Sequence, residues 1–161
     1  MENKYERRIQ MSQFVNSTME GKNFSAVQVG KWEDLLQYKN GNPFKAPGKV
    51  FLKDDLQCTG MEVSLNVFPP GISMPFYHKH RENEELYIFV KGQGEFKIDD
   101  EILEIKEGTV IRVAQEGERI WRNNSSEPLY FICIQARANT LEESNIEDGI
   151  KLDKSVEWIE K

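Results

Sequence analysis

The chain has 161 residues, 39% of them hydrophobic and 30% charged, which is typical of one globular domain with a sizeable core. Its 27 acidic residues outnumber 21 Lys and Arg, and the net charge of −6 argues against the concentrated basic face that nucleic-acid binding needs. No apolar run approaches membrane-spanning length, and the first residues lack the apolar stretch of a signal peptide. Cys58 and Cys133 lie far apart without metal-ligand spacing, which indicates a reducing cytoplasm. Together these features lead us to expect a cytoplasmic protein with neither a membrane nor a nucleic-acid partner.

Residues 1–47 are predicted to form an N-terminal extension with a short strand and a helix. Residues 1 to about 22 are polar with weak helical periodicity, which indicates a helical or loose segment. Residues 24–29 alternate like a strand. Trp32, Leu35 and Leu36 then fall at helical spacing, and the turn residues at 40–43 end the predicted helix.

From residue 48 to about 138, short strands follow one another with turn residues between them. The predicted strands are 48–52, 61–68, 85–90, 94–98, 101–105, 109–113, 119–123 and 129–135. Short strands without long intervening helices predict an all-β, antiparallel barrel. In 61–68, apolar residues alternate with Glu62, Ser64 and Asn66, and which set faces inward stays open. Residues 139–161 form an acidic tail, whose Val156–Ile159 patch we expect to dock on the barrel.

Both histidines of the chain lie in one stretch, residues 71–92. If His78-x-His80 lies inside a strand, its alternation places both imidazoles on one face, and Glu85 then heads an apolar strand. A lone histidine is usually a satisfied surface or core residue. Two imidazoles beside a carboxylate are instead the donor set of a facial-triad site for a divalent transition metal.

This stretch resembles the first signature of the cupin family, which runs glycine, His-x-His, glutamate, glycine. Gly92 follows Glu85 after six residues, as in that pattern, so Glu85 rather than Glu84 is the matching glutamate. Six residues separate Gly71 from His78, where the pattern usually has five.

The second cupin signature is matched only at its ends. Its five positions are filled here by Gly108, Ala114, Glu116, Arg119 and Asn123. The outer two agree with the family, and the register places Arg119 where the family has its last metal-binding histidine.

The resemblance extends over residues 61–135 and implies a double-stranded β-helix, commonly a homodimer. It implies a divalent transition metal, Fe, Mn, Ni or Zn, held by His78, His80 and Glu85. The outward apolar residues of the Glu85 strand, Leu86, Ile88 and Val90, are then the interface candidates.

Arg119 is a poor metal ligand, because its guanidinium stays protonated and has no lone pair. It is expected either to neutralise Glu85 inside the barrel or to anchor an anionic ligand. Tyr87 shares the phase of Glu85, and Trp121 shares that of Arg119, so both are candidate ligand-binding residues, with plain core packing as the alternative.

Three functions follow from these residues and the resemblance. The first is a protein that binds a small anionic or sugar-like molecule in the barrel, with or without a divalent metal. The second is a metal-dependent enzyme of the dioxygenase or isomerase type that uses His78, His80 and Glu85. The third is a non-catalytic scaffold with a vestigial site.

Overall fold

A computed structural model describes residues 15, 17–38, 47–142 and 146–158. The strands are β1 Ser17–Gly21, β2 Phe24–Gln28, β3 Lys49–Phe51, β4 Glu62–Phe68, β5 Asn83–Lys91, β6 Gln93–Ile98, β7 Glu101–Lys106, β8 Val110–Val113, β9 Arg119–Arg122 and β10 Leu129–Arg137. The helices are short: a 3₁₀ helix at Trp32–Gln37, α1 at Lys53–Leu56 and a 3₁₀ turn at Ile146–Asp148. No helix in these described segments is long and apolar enough to cross a membrane.

Two antiparallel sheets form the barrel. The larger has the strand order β3-β4-β10-β5-β8 and the smaller has the order β7-β6-β9. Every strand pair within them is antiparallel. The predicted all-β antiparallel barrel is therefore confirmed, and each predicted strand from residue 48 onward matches a strand of the structure to within a few residues.

An aromatic core fills the space between the two sheets. Its buried members include Tyr87, Phe89, Phe96, Trp121 and Phe131. The rings of Phe96 and Trp121, which lie on neighbouring strands, stack at 5.7 Å between centroids. Large apolar side chains alternating along paired strands thus account for the closure of the barrel.

The segment before the barrel covers the outer face of the larger sheet. Leu35 of the 3₁₀ helix is fully buried against Val50, Leu65 and Val67, and Trp32 stacks on Tyr130 at 6.3 Å between ring centroids. We call the β1–β2 hairpin and this 3₁₀ helix the cover. The helical spacing in Trp32–Gln37 is confirmed, although the helix is of the 3₁₀ type.

Strand β4 is buried on both faces, which answers the question that its alternation left open. Leu65 and Val67 pack under the cover. Ser64 and Asn66 are also buried, at 2% and 5% exposure, on the barrel side. Both sets therefore face packed interiors, because the cover supplies a second core.

Three expectations need correction or fall outside the described residues. Residues 17–21 form strand β1, paired with β2, and not a helical or loose segment, because Thr18–Gly21 find backbone partners in the neighbouring strand. Trp158 and Val156 are 87% and 76% exposed, so these two side chains are not packed on the barrel, and Ile159 of the predicted patch lies outside the described residues. Residues 1–14, 16 and the predicted helix end at 40–43 lie outside the described residues.

Candidate metal centre and ligand cavity

Strand β5 carries Glu85 into the barrel. Its alternation buries Glu85, Tyr87 and Phe89 at 5%, 1% and 1% exposure, as the predicted phase required. Glu85 pairs in register with Gln135 of β10 and with Val113 of β8. The carboxylate therefore lies on an internal strand of the larger sheet, whose backbone is paired on both sides.

The two histidines precede β5 in an extended loop and not in a strand. His78 forms an isolated antiparallel bridge with Arg119, in which each backbone N–H donates to the other's carbonyl, at 3.2 and 3.0 Å. The N–H of His80 donates to the carbonyl of Gln115 at 3.1 Å. The alternation predicted for His-x-His holds because these bonds keep the loop extended, and the imidazole rings meet at 5.6 Å between centroids.

Glu85 is the centre of the polar cluster. Its Oε2 accepts hydrogen bonds from Nε and Nη2 of Arg119, at 3.1 and 2.8 Å, and from the hydroxyl of Tyr87 at 2.5 Å. Its Oε1 lies 3.1 Å from Nε2 of His80 and accepts from Nε2 of Gln135 at 3.2 Å. Nε2 of His78 lies 3.8 Å from Oε2.

These contacts set the protonation states of the cluster. Burial acts to raise the pKa of Glu85, but hydrogen bonds from His78, Tyr87 and Arg119 and the charge of Arg119 outweigh it and hold that pKa well below its ordinary value. Burial lowers the pKa of His80. Burial and the nearby Glu85 raise the pKa of Tyr87, and they raise the pKa of the Cys133 thiol to about 12. At neutral pH the carboxylate is therefore ionised, whereas the thiol keeps its proton.

Arg119 is fully buried, and its guanidinium donates to Glu85 and to a backbone carbonyl. Besides its two bonds to Glu85, its Nη1 donates to the carbonyl of Gly117 at 2.7 Å. It is absent from the cavity lining. Of the two roles expected for Arg119, the structure favours the pairing with Glu85 over direct contact with a ligand.

A cavity of about 480 Å³ opens above the cluster. His78, His80 and Glu85 lie in its wall, together with Asn66 and Lys49. Its aromatic lining comprises Phe51, Phe68, Phe76, Tyr87, Trp121 and Phe131. Tyr87 and Trp121 therefore reach the cavity as expected, and a mostly apolar wall with few polar groups is typical of a small-molecule site.

Two buried nitrogen atoms beside this cavity lack hydrogen-bond partners among the described residues. They are Nδ1 of His78 and Nε1 of Trp121, and the two rings lie 5.9 Å apart between centroids. An unpaired buried donor costs free energy unless water or a ligand satisfies it. Both residues line the cavity, so a water or a ligand that reached these atoms would remove this cost.

Sequence reasoning missed several residues of the site. Gln135 and Cys133 belong to β10, whose alternation points both of them, with Phe131, into the barrel. That alternation was the available signal for them. Lys49, Phe51 and Phe68 reach the cavity through the closure of the larger sheet, which no local pattern reveals.

The donor set fits a divalent transition metal. The ligating atoms of His78, His80 and Glu85 all lie within 4.8 Å of one another. An ionised carboxylate and an imidazole whose pKa is lowered by burial are the protonation states that a metal requires. Arg119 lowers the affinity by its charge, but it bonds Oε2 and leaves Oε1 facing His80.

Comparisons with known proteins agree with this architecture. Residues 64–135 match the cupin domain family. A cupin protein from Bacteroides fragilis is 40% identical, with a TM-score of 0.61 over 65% of this chain and 88% of that one. A double-stranded β-helix protein from Klebsiella pneumoniae shares the fold, at 17% identity and a TM-score of 0.54 over 70% of this chain and 91% of its own.

An uncharacterized protein of Methanocaldococcus jannaschii is 29% identical over 80 residues, which are 50% of this chain. The chain spans 63% of that protein's length.

Proposed function

Because this chain belongs to the cupin family, we propose that its cavity binds a small anionic molecule with an apolar body, beside a divalent transition metal held by His78, His80 and Glu85. The observation that carries the proposal is the cavity of about 480 Å³ whose wall contains these three side chains. Its volume falls within the usual range for small-molecule sites. Iron, manganese, nickel and zinc all suit two imidazoles and a carboxylate.

The charge balance of the wall supports an anionic ligand. Arg119 and Glu85 neutralise one another, since their oppositely charged groups lie 2.8 Å apart. Lys79 also lines the cavity, but it pairs with Glu116 at 3.2 Å. Lys49 also lines the cavity, with its ammonium 4.6 Å from the centre of the Phe51 ring, and a bound metal would add two positive charges. The aromatic side chains would enclose the apolar body, and the N–H of Trp121 would donate to an acceptor of the ligand.

Ligand-dependent thermal stabilisation tests the proposal. The panel contains aromatic and short aliphatic carboxylates, their neutral amides and neutral monosaccharides. At a hundredfold excess over Kd a ligand stabilises by about 2.7 kcal/mol, which corresponds to a rise in Tm of roughly 5–11 °C for a chain of this size. We expect the carboxylates to raise the Tm more than their amides, and the sugars not to raise it.

Trp121→Phe is the informative variant, since it keeps a ring in the wall and removes the unpaired N–H. We expect it to weaken carboxylate binding by about threefold to tenfold, the value of one hydrogen bond. Trp32→Phe is the matched control, because Trp32 lies in the cover against Tyr130. Stabilisation by no compound would contradict the proposal and favour a scaffold with a vestigial site, and stabilisation by sugars alone would refute the anionic ligand.

A metal-dependent enzyme of the dioxygenase or isomerase type is a second candidate, favoured by the position of the cluster in the cavity wall. A metal there would supply Lewis-acid or oxygen-binding chemistry. The chain's own residues would bind and orient the substrate. The hydroxyl of Tyr87 donates a hydrogen bond to Glu85 and its pKa is raised, so the hydroxyl keeps its proton, holds the carboxylate and does not act as a base. Cys133 stays a thiol and is not an activated nucleophile.

The homodimer stays a prediction. The candidate interface residues Leu86, Ile88 and Val90 are half-buried on the outer side of β5, where Val90 also packs against the cluster under the cover. A mass in light scattering of twice the 18.8 kDa of one chain is expected at micromolar concentration.

A further inference from the structure

Asn66 is a buried amide in the cavity wall, and only its nitrogen is hydrogen-bonded. The residue is 5% exposed and lines the cavity. Its Nδ2 lies 3.1 Å from both the carbonyl oxygen and the hydroxyl oxygen of Ser64, and it donates to the carbonyl of Phe131 at 3.4 Å. Its Oδ1 accepts no hydrogen bond from any residue that the structure describes. The amide is therefore unsatisfied on its acceptor side.

The hydrogen-bond partners of Asn66 fix the orientation of its amide. Backbone carbonyls only accept hydrogen bonds, so the nitrogen has to face Ser64 and Phe131, and the oxygen has to face the other way. In the described part of the chain, the side-chain atoms that are fully enclosed without a partner are Nδ1 of His78 and Nε1 of Trp121, and Oδ1 of Asn66 is not one of them. An oxygen of a wall residue that is neither bonded nor enclosed borders the cavity. Asn66 therefore presents a hydrogen-bond acceptor to the occupant of the cavity.

Lys49 is the neighbouring donor, and it does not use this acceptor. Lys49 lies directly opposite Asn66 in the register of β3 and β4, and both residues line the cavity. The ammonium of Lys49 lies 4.6 Å from the centre of the Phe51 ring, and Phe51 is opposite Ser64. The lysine side chain thus leans along β3 towards Phe51, and Oδ1 of Asn66 receives no hydrogen bond from it.

The strand register places Asn66 far from the candidate metal centre. Asn66 pairs with Phe131 of β10, whereas Glu85 pairs with Gln135 of the same strand. Four residues of an extended chain span about 14 Å along the strand. One ligand can therefore contact both the metal centre and Asn66 only if an apolar body separates its two polar ends.

We infer that the ligand carries an O–H or N–H donor remote from its anionic group, and that Oδ1 of Asn66 accepts a hydrogen bond from this donor. The inference rests on the proposed function and names the ligand class more closely, as a hydroxy- or amino-substituted carboxylate. An apolar group placed against Oδ1 would displace water and leave a buried acceptor unpaired, which costs free energy. The amide cannot turn to offer its nitrogen instead, because its oxygen would then face the carbonyl oxygens of Ser64 and Phe131.

Isothermal titration calorimetry in a buffer that contains Mn²⁺ measures this preference. The ligands are phenylacetate and its meta- and para-substituted hydroxy, amino and methoxy derivatives. We expect the best hydroxy or amino derivative to bind the wild type about threefold to tenfold more tightly than phenylacetate, the value of one hydrogen bond. The methoxy derivatives have no donor and should bind no more tightly than phenylacetate.

Two variants assign the preference to Asn66. Asn66→Leu removes the acceptor at similar volume, and the ratio of the two affinities should fall to about one. Asn66→Asp keeps an oxygen acceptor in the same place, and the ratio should equal or exceed that of the wild type. Asn124→Leu is the matched control, because Asn124 is exposed and lies outside the cavity lining, and its ratio should equal that of the wild type. A ratio measured within one variant is insensitive to a general loss of stability, and circular dichroism verifies folding.

The outcomes separate the inference from the proposed function. A wild type that binds none of these carboxylates overturns both. A wild type that binds phenylacetate as tightly as every hydroxy and amino derivative supports the anionic ligand and overturns the donor. A preference for the donor that persists in Asn66→Leu shows that another group recognises it, and this result overturns the role of Asn66.

Discussion

Replacement of Arg119 by methionine is expected to destabilise the protein severely. The change keeps an unbranched apolar stem and removes the guanidinium, which donates at 3.1 and 2.8 Å to Glu85 and at 2.7 Å to the carbonyl of Gly117. Glu85 would remain at 5% exposure with only neutral donors and the two imidazoles around it. Removal of one partner of a buried ion pair costs about 3–5 kcal/mol, since the other charge stays buried and unpaired.

This cost is a large part of the stability of a single domain, about 5–15 kcal/mol. With a urea m-value of about 2 kcal/mol/M, the unfolding midpoint should fall by roughly 1.5–2.5 M. In a thermal scan the Tm should fall by about 6–20 °C. Both measurements are made with chelator present, so that a bound metal contributes nothing.

Arg122→Met is the matched control, because Arg122 lies on the same strand and pairs with Glu95 at 2.5 Å on the surface. Its side chain is 55% exposed, and water replaces the lost contact, so we expect an unfolding midpoint indistinguishable from that of the wild type. In Arg119→Met/Glu85→Leu the buried charge is also removed, and most of the lost stability should return.

The pH dependence has a definite sign. The pKa of Glu85 is lowered in the folded state, so its contribution is present above its ordinary value of 4.5 and is lost as the pH falls through the folded pKa. The difference between the wild type and Arg119→Met should therefore shrink in acid. Equal losses of stability in Arg119→Met and Arg122→Met, or no loss in either, would refute the reasoning.

Three further predictions concern packing and reactivity. Gly94→Ala should lower the Tm, since its Cβ would lie 2.4 Å from the carbonyl oxygen of Arg122, whereas Gly60→Ala, with open space around it, should not. Leu35→Ala should cost about 2–5 kcal/mol in urea unfolding and leave one transition, because this fully buried residue joins the cover to the barrel; a separate early transition would show that the cover unfolds alone. Native Cys133 should resist iodoacetamide at pH 8, since burial raises its pKa to about 12 and only the thiolate reacts; mass spectrometry that finds it alkylated without denaturant would contradict its burial.

The barrel could be predicted because the sequence pattern that specifies each of its strands is local. Each strand from residue 48 onward carries a period of two and is bounded by turn residues. The placement of Glu85, Tyr87 and Trp121 followed from the same alternation. The loop at His78 and His80 was mistaken for a strand, yet its side chains were placed on one face, because an extended loop has the same alternation.

The parts that could not be predicted depend on contacts distant in sequence. The polar face of β4 is buried because the barrel closes over it, and its apolar face is buried because the cover lies on it. The strand at 17–21 exists only through its pairing with β2. The choice between two roles for Arg119 required the position of its guanidinium relative to the cavity. Local patterns contain none of these distances.

The burial of β4 on both faces limits which substitutions this strand can accept. Four consecutive residues, Ser64 to Val67, are buried on alternating sides. Asn66 lines the cavity and bonds Ser64, whereas Leu65 and Val67 pack under the cover, so a change at any of the four alters one of these two interiors. Strand β7 is the opposite case, with only Ile105 buried among its six residues. Mutational drift is expected to accumulate on β7 at little cost. A substitution in β4 that changes which ligand the cavity binds would instead also have to preserve the packing of the cover, which lies on the other face of the strand.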